Sequence, residues 1–98
     1  MTVEFLIDTA FDGDLALPPA IVAQLQAVPA MSQIIRTADG RTSLAEVFET
    51  ELSWDGGTRP VYVLVLGGES PLVGIRLLAE HSIYLEMTDG GTVTIEPF

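Results

Sequence analysis

The sequence predicts a mostly β domain with two short helices, and three observations carry that prediction. Asp-Gly pairs stand between extended apolar segments three times, at Asp39-Gly40, Asp55-Gly56 and Asp89-Gly90, and this dipeptide is a strong short-range hairpin signal. Val61-Tyr62-Val63-Leu64-Val65-Leu66 is an apolar, largely β-branched run of strand length, the pattern of the most buried strand. Only two segments, after Pro18-Pro19 and after Gly74, suit a helix, and both are short.

In chain order, Phe5, Leu6 and Ile7 read as a short buried strand that delivers Asp8 to its end. Asp12-Gly13 suits a turn. Leu15, Ala16 and Leu17 are a second strand, which must end at Pro18. Pro18 and Pro19 open a helix, because the first helical positions need no amide donor. Ile21, Val22, Leu25 and Val28 share its apolar face, and Pro29 stops it. Ile34, Ile35 and Thr37 lead to a hairpin at Ala38-Asp39-Gly40; Leu44, Val47 and Phe48 return from it toward Leu52 and Trp54. Asp55-Gly56-Gly57 turns the chain into Val61–Leu66, and Gly67 to Pro71 is a loop. Leu72-Val73-Gly74 precedes a helix of about two turns over Ile75 to His81. Ile83, Leu85 and Met87 alternate with Tyr84, Glu86 and Thr88 as a strand, and Asp89-Gly90-Gly91 turns back into Thr92 to Ile95.

Ninety-eight residues suffice for one domain with a modest core. Apolar residues make up 48% of the chain, more than so small a monomer hides, so a buried subunit interface is expected, most simply in a two-fold dimer. Fourteen acids against four bases give a formal charge of −10, which argues against nucleic acid and anionic membrane as partners. The bases are Arg36, Arg41, Arg59 and Arg76, spread singly, with no Lys. Without cysteine there are neither disulfides nor thiolate metal sites. No stretch approaches the about 17 to 25 apolar residues that span a bilayer, and the N-terminus shows no secretory pattern, so a cytoplasmic location is expected.

Most chemical motifs fail on spacing. Aligning Gly13 with the glycine of a calcium loop puts Asp8 first and Asp12 fifth, but leaves Ala10 third and Pro19 at the position of the closing Glu. His81 is the only histidine, and a lone His near a helix end reads as a cap or a surface group. No Ser is spaced with it as a nucleophilic pair, and Gly67-Gly68-Glu69-Ser70 lacks the Lys-Ser/Thr ending of a phosphate loop. Asp12 and Asp14 read as solvated turn acids. Asp8 remains.

Three features taken in order give Asp8 a function. Leu6-Ile7-Asp8-Thr9-Ala10 resembles the Asp-Thr/Ser-Gly/Ala signature of retropepsin-like aspartic proteases. Leu72-Val73-Gly74-Ile75-Arg76-Leu77-Leu78 resembles that family's apolar-apolar-Gly motif followed by a short helix with a Leu-Leu pair. Ala38-Asp39-Gly40-Arg41 sits where such proteins carry the hairpin called the flap. The ordered set covers roughly Val3 to Met87, and Phe11, Gly13 and Leu15 to Pro18 look like the small prokaryotic single-domain branch. Three departures stand out: Ala10 replaces the commoner Gly, Arg76 occupies a position where small relatives often carry an acid, and little chain precedes the catalytic strand to form an intersubunit sheet.

The resemblance implies a closed or packed, β-barrel-like retropepsin fold over residues 1–98, with one half-site per chain and no cofactor or metal. It implies an aspartic endopeptidase acting on polypeptide substrates. Peptide hydrolysis by carboxylates needs two that share one proton: the ionised one deprotonates water while the protonated one polarises the carbonyl. One signature copy supplies one Asp8, so the second must come from another chain. By the same resemblance Thr9 and Ala10 complete the catalytic loop, with Thr9 bracing it across the axis. Leu72, Val73 and Gly74 pack beneath that loop, Ala38, Asp39 and Gly40 cover the substrate, and Thr92 to Phe98 supply the intersubunit sheet. An apolar cleft is expected from Phe11, Ile34, Ile35 and Val73. The alternative is a non-catalytic peptide-binding or interaction module that keeps the fold, and a third class is a metal-dependent or structural acidic protein.

Overall fold

The structure, a computed structural model, describes residues 3–36, 39–68 and 70–98. Thr37 and Ala38 at the expected hairpin tip, and Glu69 in the expected loop, lie outside the described residues. The chain runs β1 (Leu6–Ile7), β2 (Leu15–Leu17), α1 (Pro19–Val22), β3 (Val28–Arg36), β4 (Thr42–Trp54), β5 (Gly57–Val65), β6 (Leu72–Val73), α2 (Ile75–Leu78), β7 (His81–Leu85) and β8 (Val93–Pro97). It is mostly β with two short helices, as the sequence predicts. Six strands form one sheet in the order β1-β6-β2-β5-β4-β3, and β7 and β8 form a second, two-stranded sheet. Among the described residues β1 and β3 are the edges of the larger sheet, and no pairing between them closes a barrel.

The hairpins obey their turn chemistry. β4 and β5 meet at Trp54↔Gly57, and the two residues between, Asp55 and Gly56, both have positive φ (52° and 80°), as the tightest hairpin turn requires. β3 and β4 pair antiparallel up to Arg36↔Thr42, with Gly40 at φ 84° in the connection. There the backbone N–H of Arg41 donates to Asp39 Oδ1 at 3.1 Å. β6 is the unusual strand. It lies between β1 and β2, parallel to one through Leu6↔Leu72 and Ile7↔Val73, and antiparallel to the other through Leu15↔Val73.

Alternation along β2, β4 and β5 buries both faces of the sheet. Leu15, Leu17, Val61 and Val63 join Val22, Val73, Leu77 and Leu78 on one side, with Leu52, Trp54, Ile83 and Ile95 packed against them. Ala16, Ala45, Val47 and Leu64 form the other side, backed by Phe11, Ile35, Tyr62 and Leu72. A strand whose successive residues serve opposite cores needs the nearly unbroken apolar sequence that Val61–Leu66 has.

Four expectations change. Leu6 is 57% exposed and Phe5 is also exposed, so the first strand is an uncovered edge within one chain rather than a buried one. α1 is a single turn; Val28 belongs to β3 and is 64% exposed, because the residue before a proline avoids helical backbone and an edge strand tolerates Pro29 at a register shift. α2 is also a single turn: Ala79 is extended, Glu80 turns at φ 63°, and His81 begins β7. β7 ends at Leu85, leaving Met87 almost fully exposed beyond it. Among the described residues no helix is long and apolar enough to cross a membrane.

His81 ties the small sheet to the β4–β5 hairpin. Its Nδ1 donates to the Ala79 carbonyl oxygen at 2.7 Å, closing the end of α2 as a cap would. Its Nε2 meets two partners, the Asp55 carboxylate Oδ2 and the indole N–H of Trp54 at 3.2 Å. An indole nitrogen only donates and a carboxylate only accepts, so protonation of Nε2 decides which partner it bonds. The hydrogen bond to Asp55 and then the Ala79 carbonyl raise the His81 pKa above its ordinary 6.5, against burial and the Arg59 charge. Stability from the charged ring is therefore fully present below about pH 6.5 and is lost as pH rises through the elevated value in the fold. The unfolding-midpoint difference between the wild type and His81→Gln, followed by thermal denaturation, is expected to be larger at about pH 6 than at about pH 9.

Candidate active site

Asp8 follows directly on β1, and its position is set by β6. The backbone N–H of Asp8 donates to the Val73 carbonyl at 3.0 Å, extending the β1–β6 ladder by one residue. The chain then folds back on itself. Asp8 Oδ1 accepts the N–H of Ala10 at 3.0 Å, and the Asp8 carbonyl accepts the N–H of Phe11 at 3.1 Å. This is the local turn that an aspartate side chain favours. Oδ2 has no hydrogen bond among the described residues.

The rest of the loop is clamped to the start of α2. Three consecutive N–H groups, of Gly74, Ile75 and Arg76, donate to the carbonyls of Asp14 (2.8 Å), Phe11 (2.8 Å) and Gly13 (3.2 Å). Those are donors that a helix start leaves without intrahelical partners, so the loop satisfies the helix and the helix fixes the loop. Contact is close enough that Gly74 has no room for a side chain. A Cβ there would fall on the Gly13 carbonyl oxygen and within 2.8 Å of the Phe11 carbonyl oxygen.

A cleft of about 930 Å³ opens between this loop, β3 and β5. Asp8, Ala10 and Phe11 line one part; Met31, Ile34 and Ile35 line another; Tyr62, Leu64 and Leu66 contribute from β5 and the residue beyond it. Its charged groups are Asp8, Asp12, Asp14, Arg36 and Arg76. Of the residues expected from sequence, Asp8, Ala10 and Leu72 reach the cleft, as do Phe11, Ile34 and Ile35. Val73 does not; it is buried in the core behind. Thr9 is exposed beside the cleft, and Asp39 and Gly40 lie outside its described lining, which takes the stem of the β3–β4 hairpin rather than its tip.

Asp14 overturns its reading as a solvated turn acid. It is 4% exposed, and its Oδ2 accepts the backbone N–H of Tyr62 at 3.0 Å. Its Oδ1 is buried with no hydrogen-bond partner; the nearest cation is Arg76, whose Nε stands 3.9 Å away. Asp12 is exposed, as expected. Tyr62 and Arg76 join the cleft without having been singled out as site residues, because the contacts that bring them there cross from β5 and α2 to the loop.

A second cavity, of about 540 Å³, is lined by Trp54, Asp55, Arg59, Glu80, His81 and the chain end. Both ring nitrogens of His81 are engaged there, so no free base faces it. Among the described residues no three His, Asp or Glu side chains gather as a metal would require.

No protein-family model, no curated protein and no solved structure matches the chain. The loop and the cleft therefore have to carry the functional reading.

Gly74→Ala tests the clamp. With backbone oxygens where the methyl must go, neither neighbour yields cheaply, and the substitution is expected to cost about 1–3 kcal/mol of stability by chemical denaturation.

Proposed function

We propose that this chain is a homodimeric aspartic endopeptidase with a retropepsin-like fold, in which Asp8 of two copies shares one proton. The observation that carries the reading is Asp8 itself. One carboxylate oxygen is held by Ala10 N–H, the other is unengaged, and the group faces a cleft of peptide-binding size on a loop braced by Gly74. The resemblance of Asp8-Thr9-Ala10 and Leu72-Val73-Gly74 to the family's two motifs gains support from their contact: the loop after one motif is bonded to the backbone of the other.

In this mechanism a water lies between the two carboxylates. The ionised Asp8 takes its proton as the oxygen attacks the scissile carbonyl, and the protonated Asp8 gives its own proton to the carbonyl oxygen. Collapse of the tetrahedral intermediate breaks the C–N bond: the proton taken from water goes to the departing amine, and the other Asp8 regains a proton from a hydroxyl of the intermediate as the product carboxyl forms. Thr9 braces the paired loops, and the hairpin that ends near Asp39 and Gly40 covers the peptide. The second copy also accounts for the exposed apolar side chains at Leu6, Ile75, Leu85 and Phe98, which one chain leaves in water.

One observation favours a second reading, a peptide-binding module without catalysis: a single chain has a complete cleft but only one signature carboxylate. Two measurements separate the readings. Cleavage of a denatured protein is expected from the wild type, and Asp8→Asn is expected to lower it at least about 1,000-fold; undiminished cleavage sinks the assignment. Sedimentation at moderate ionic strength, which screens the −10 charge of each chain, is expected to give a dimer. A monomer at every concentration removes the second carboxylate and with it the mechanism.

A further inference from the structure

Arg76 is the second residue of α2, and its own N–H is one of the three bonded to the Asp8–Asp14 loop. Its backbone is therefore fixed relative to Asp8. The side chain crosses Tyr62, with the guanidinium carbon 5.4 Å from the ring centroid, a cation–π separation. Its Nε then stops 3.9 Å from Asp14 Oδ1. At that distance the two attract as charges without forming a hydrogen bond. All five guanidinium donors thus lack a protein acceptor among the described residues, while the side chain is 57% exposed on the cleft that Asp8 shares.

Asp14 supplies the independent observation. It is an acid 4% exposed, with one oxygen satisfied by Tyr62 N–H and the other unpartnered. The unpartnered oxygen has almost no accessible surface, so a ligand in the cleft does not reach it. Its charge acts on Arg76 instead. The Asp14 charge beneath and the Tyr62 ring alongside draw the guanidinium toward this wall of the cleft, and no protein hydrogen bond occupies its Nη groups. A planar fork of N–H donors matches a carboxylate in a bidentate pair.

We infer that Arg76 makes this cleft select polypeptides carrying an Asp or Glu side chain near the bond to be cleaved, the substrate carboxylate pairing with the Arg76 guanidinium. The inference rests on the reading of the cleft as a peptide site. Asp8 and Asp12, on the same cleft, repel a further anion, and Arg36 is the other cation of its lining, so the substitutions below are made at Arg76 to assign the preference to it.

Two experiments decide it. The first compares cleavage sites in a peptide library for the wild type, Arg76→Gln and Arg76→Glu, read by mass spectrometry. The expected result is enrichment of Asp and Glu at one subsite by the wild type, on the order of tenfold, its loss in Arg76→Gln, and a turn toward Lys and Arg in Arg76→Glu. Cleavage that requires Asp8 but shows no acidic preference, or the same preference in all three proteins, overturns the inference and leaves the protease reading standing. Absence of cleavage by the wild type counts against the protease reading alone, and the second experiment then decides. Blocked peptide pairs differing only as Glu or Gln are titrated into the Asp8→Asn protein with and without Arg76→Glu. Tighter binding of the Glu peptides that reverses with Arg76→Glu supports the inference; equal binding of the pair, or no binding of either, overturns it.

Discussion

Three hydrogen bonds between the loop after β1 and the first residues after β6 hold the rest of the site in register. The carbonyls of Phe11, Gly13 and Asp14 accept N–H groups from Ile75, Arg76 and Gly74, and the Gly13 carbonyl oxygen occupies the space that a side chain on Gly74 would need. The arrangement is possible because β6 threads between β1 and β2, the two strands that flank the loop. A two-residue strand in the middle of a sheet contributes little by itself. Its value is positional: it brings residue 74 to residue 13 across sixty residues of chain, and fixes Asp8, Asp14 and Arg76 relative to one another.

The two-sided core explains why so small a domain can carry such a cleft. β2 and β5 lie at the centre of the larger sheet, with Leu15, Leu17, Val61 and Val63 facing the helices and Ala16 and Leu64 facing the β3–β4 hairpin. Ala16, Ala45, Val47 and Leu64 are the buried members of that second side, and Val47 and Leu64 also line the cleft. The cost is apolar surface. β3 is almost entirely exposed, and β1 lies on an edge, so Leu6, Val28, Met31 and Ile34 present their side chains to water.

Electrostatics divides the acids near the loop into three kinds. Asp8 is half-buried and keeps one oxygen available. Asp12 is solvated. Asp14 is enclosed, with one oxygen spent on the Tyr62 backbone and its remaining charge facing Arg76. In sequence the three differ little, since each is an aspartate in a short turn-rich stretch. Their roles separate through what β5 and α2 bring against them, and a chain with fourteen acids and four bases commits two of its cations to this one cleft.

What the sequence determined by itself was local. The hairpins at Asp39-Gly40 and Asp55-Gly56 were legible because the backbone angles they need are properties of those residues, and Val61–Leu66 was legible because burial on both faces demands an unbroken apolar run. Proline 18 ended β2 for the same kind of reason. The resemblance implied that Leu72-Val73-Gly74 packs against the loop after Asp8, and the hydrogen bonds from Gly74, Ile75 and Arg76 to that loop bring the two segments together. Helix lengths were not: Val28 and His81 fit a helical period, yet pairing with Glu49 and Pro97 draws each into a strand, and the sheet bonds prevail over one more turn of helix. The burial of Asp14 was decided only by tertiary structure, because its partner Tyr62 lies 48 residues away. Arg76 reached the cleft through the same long-range contacts, and a charge acquires its role only when the group opposite it is known.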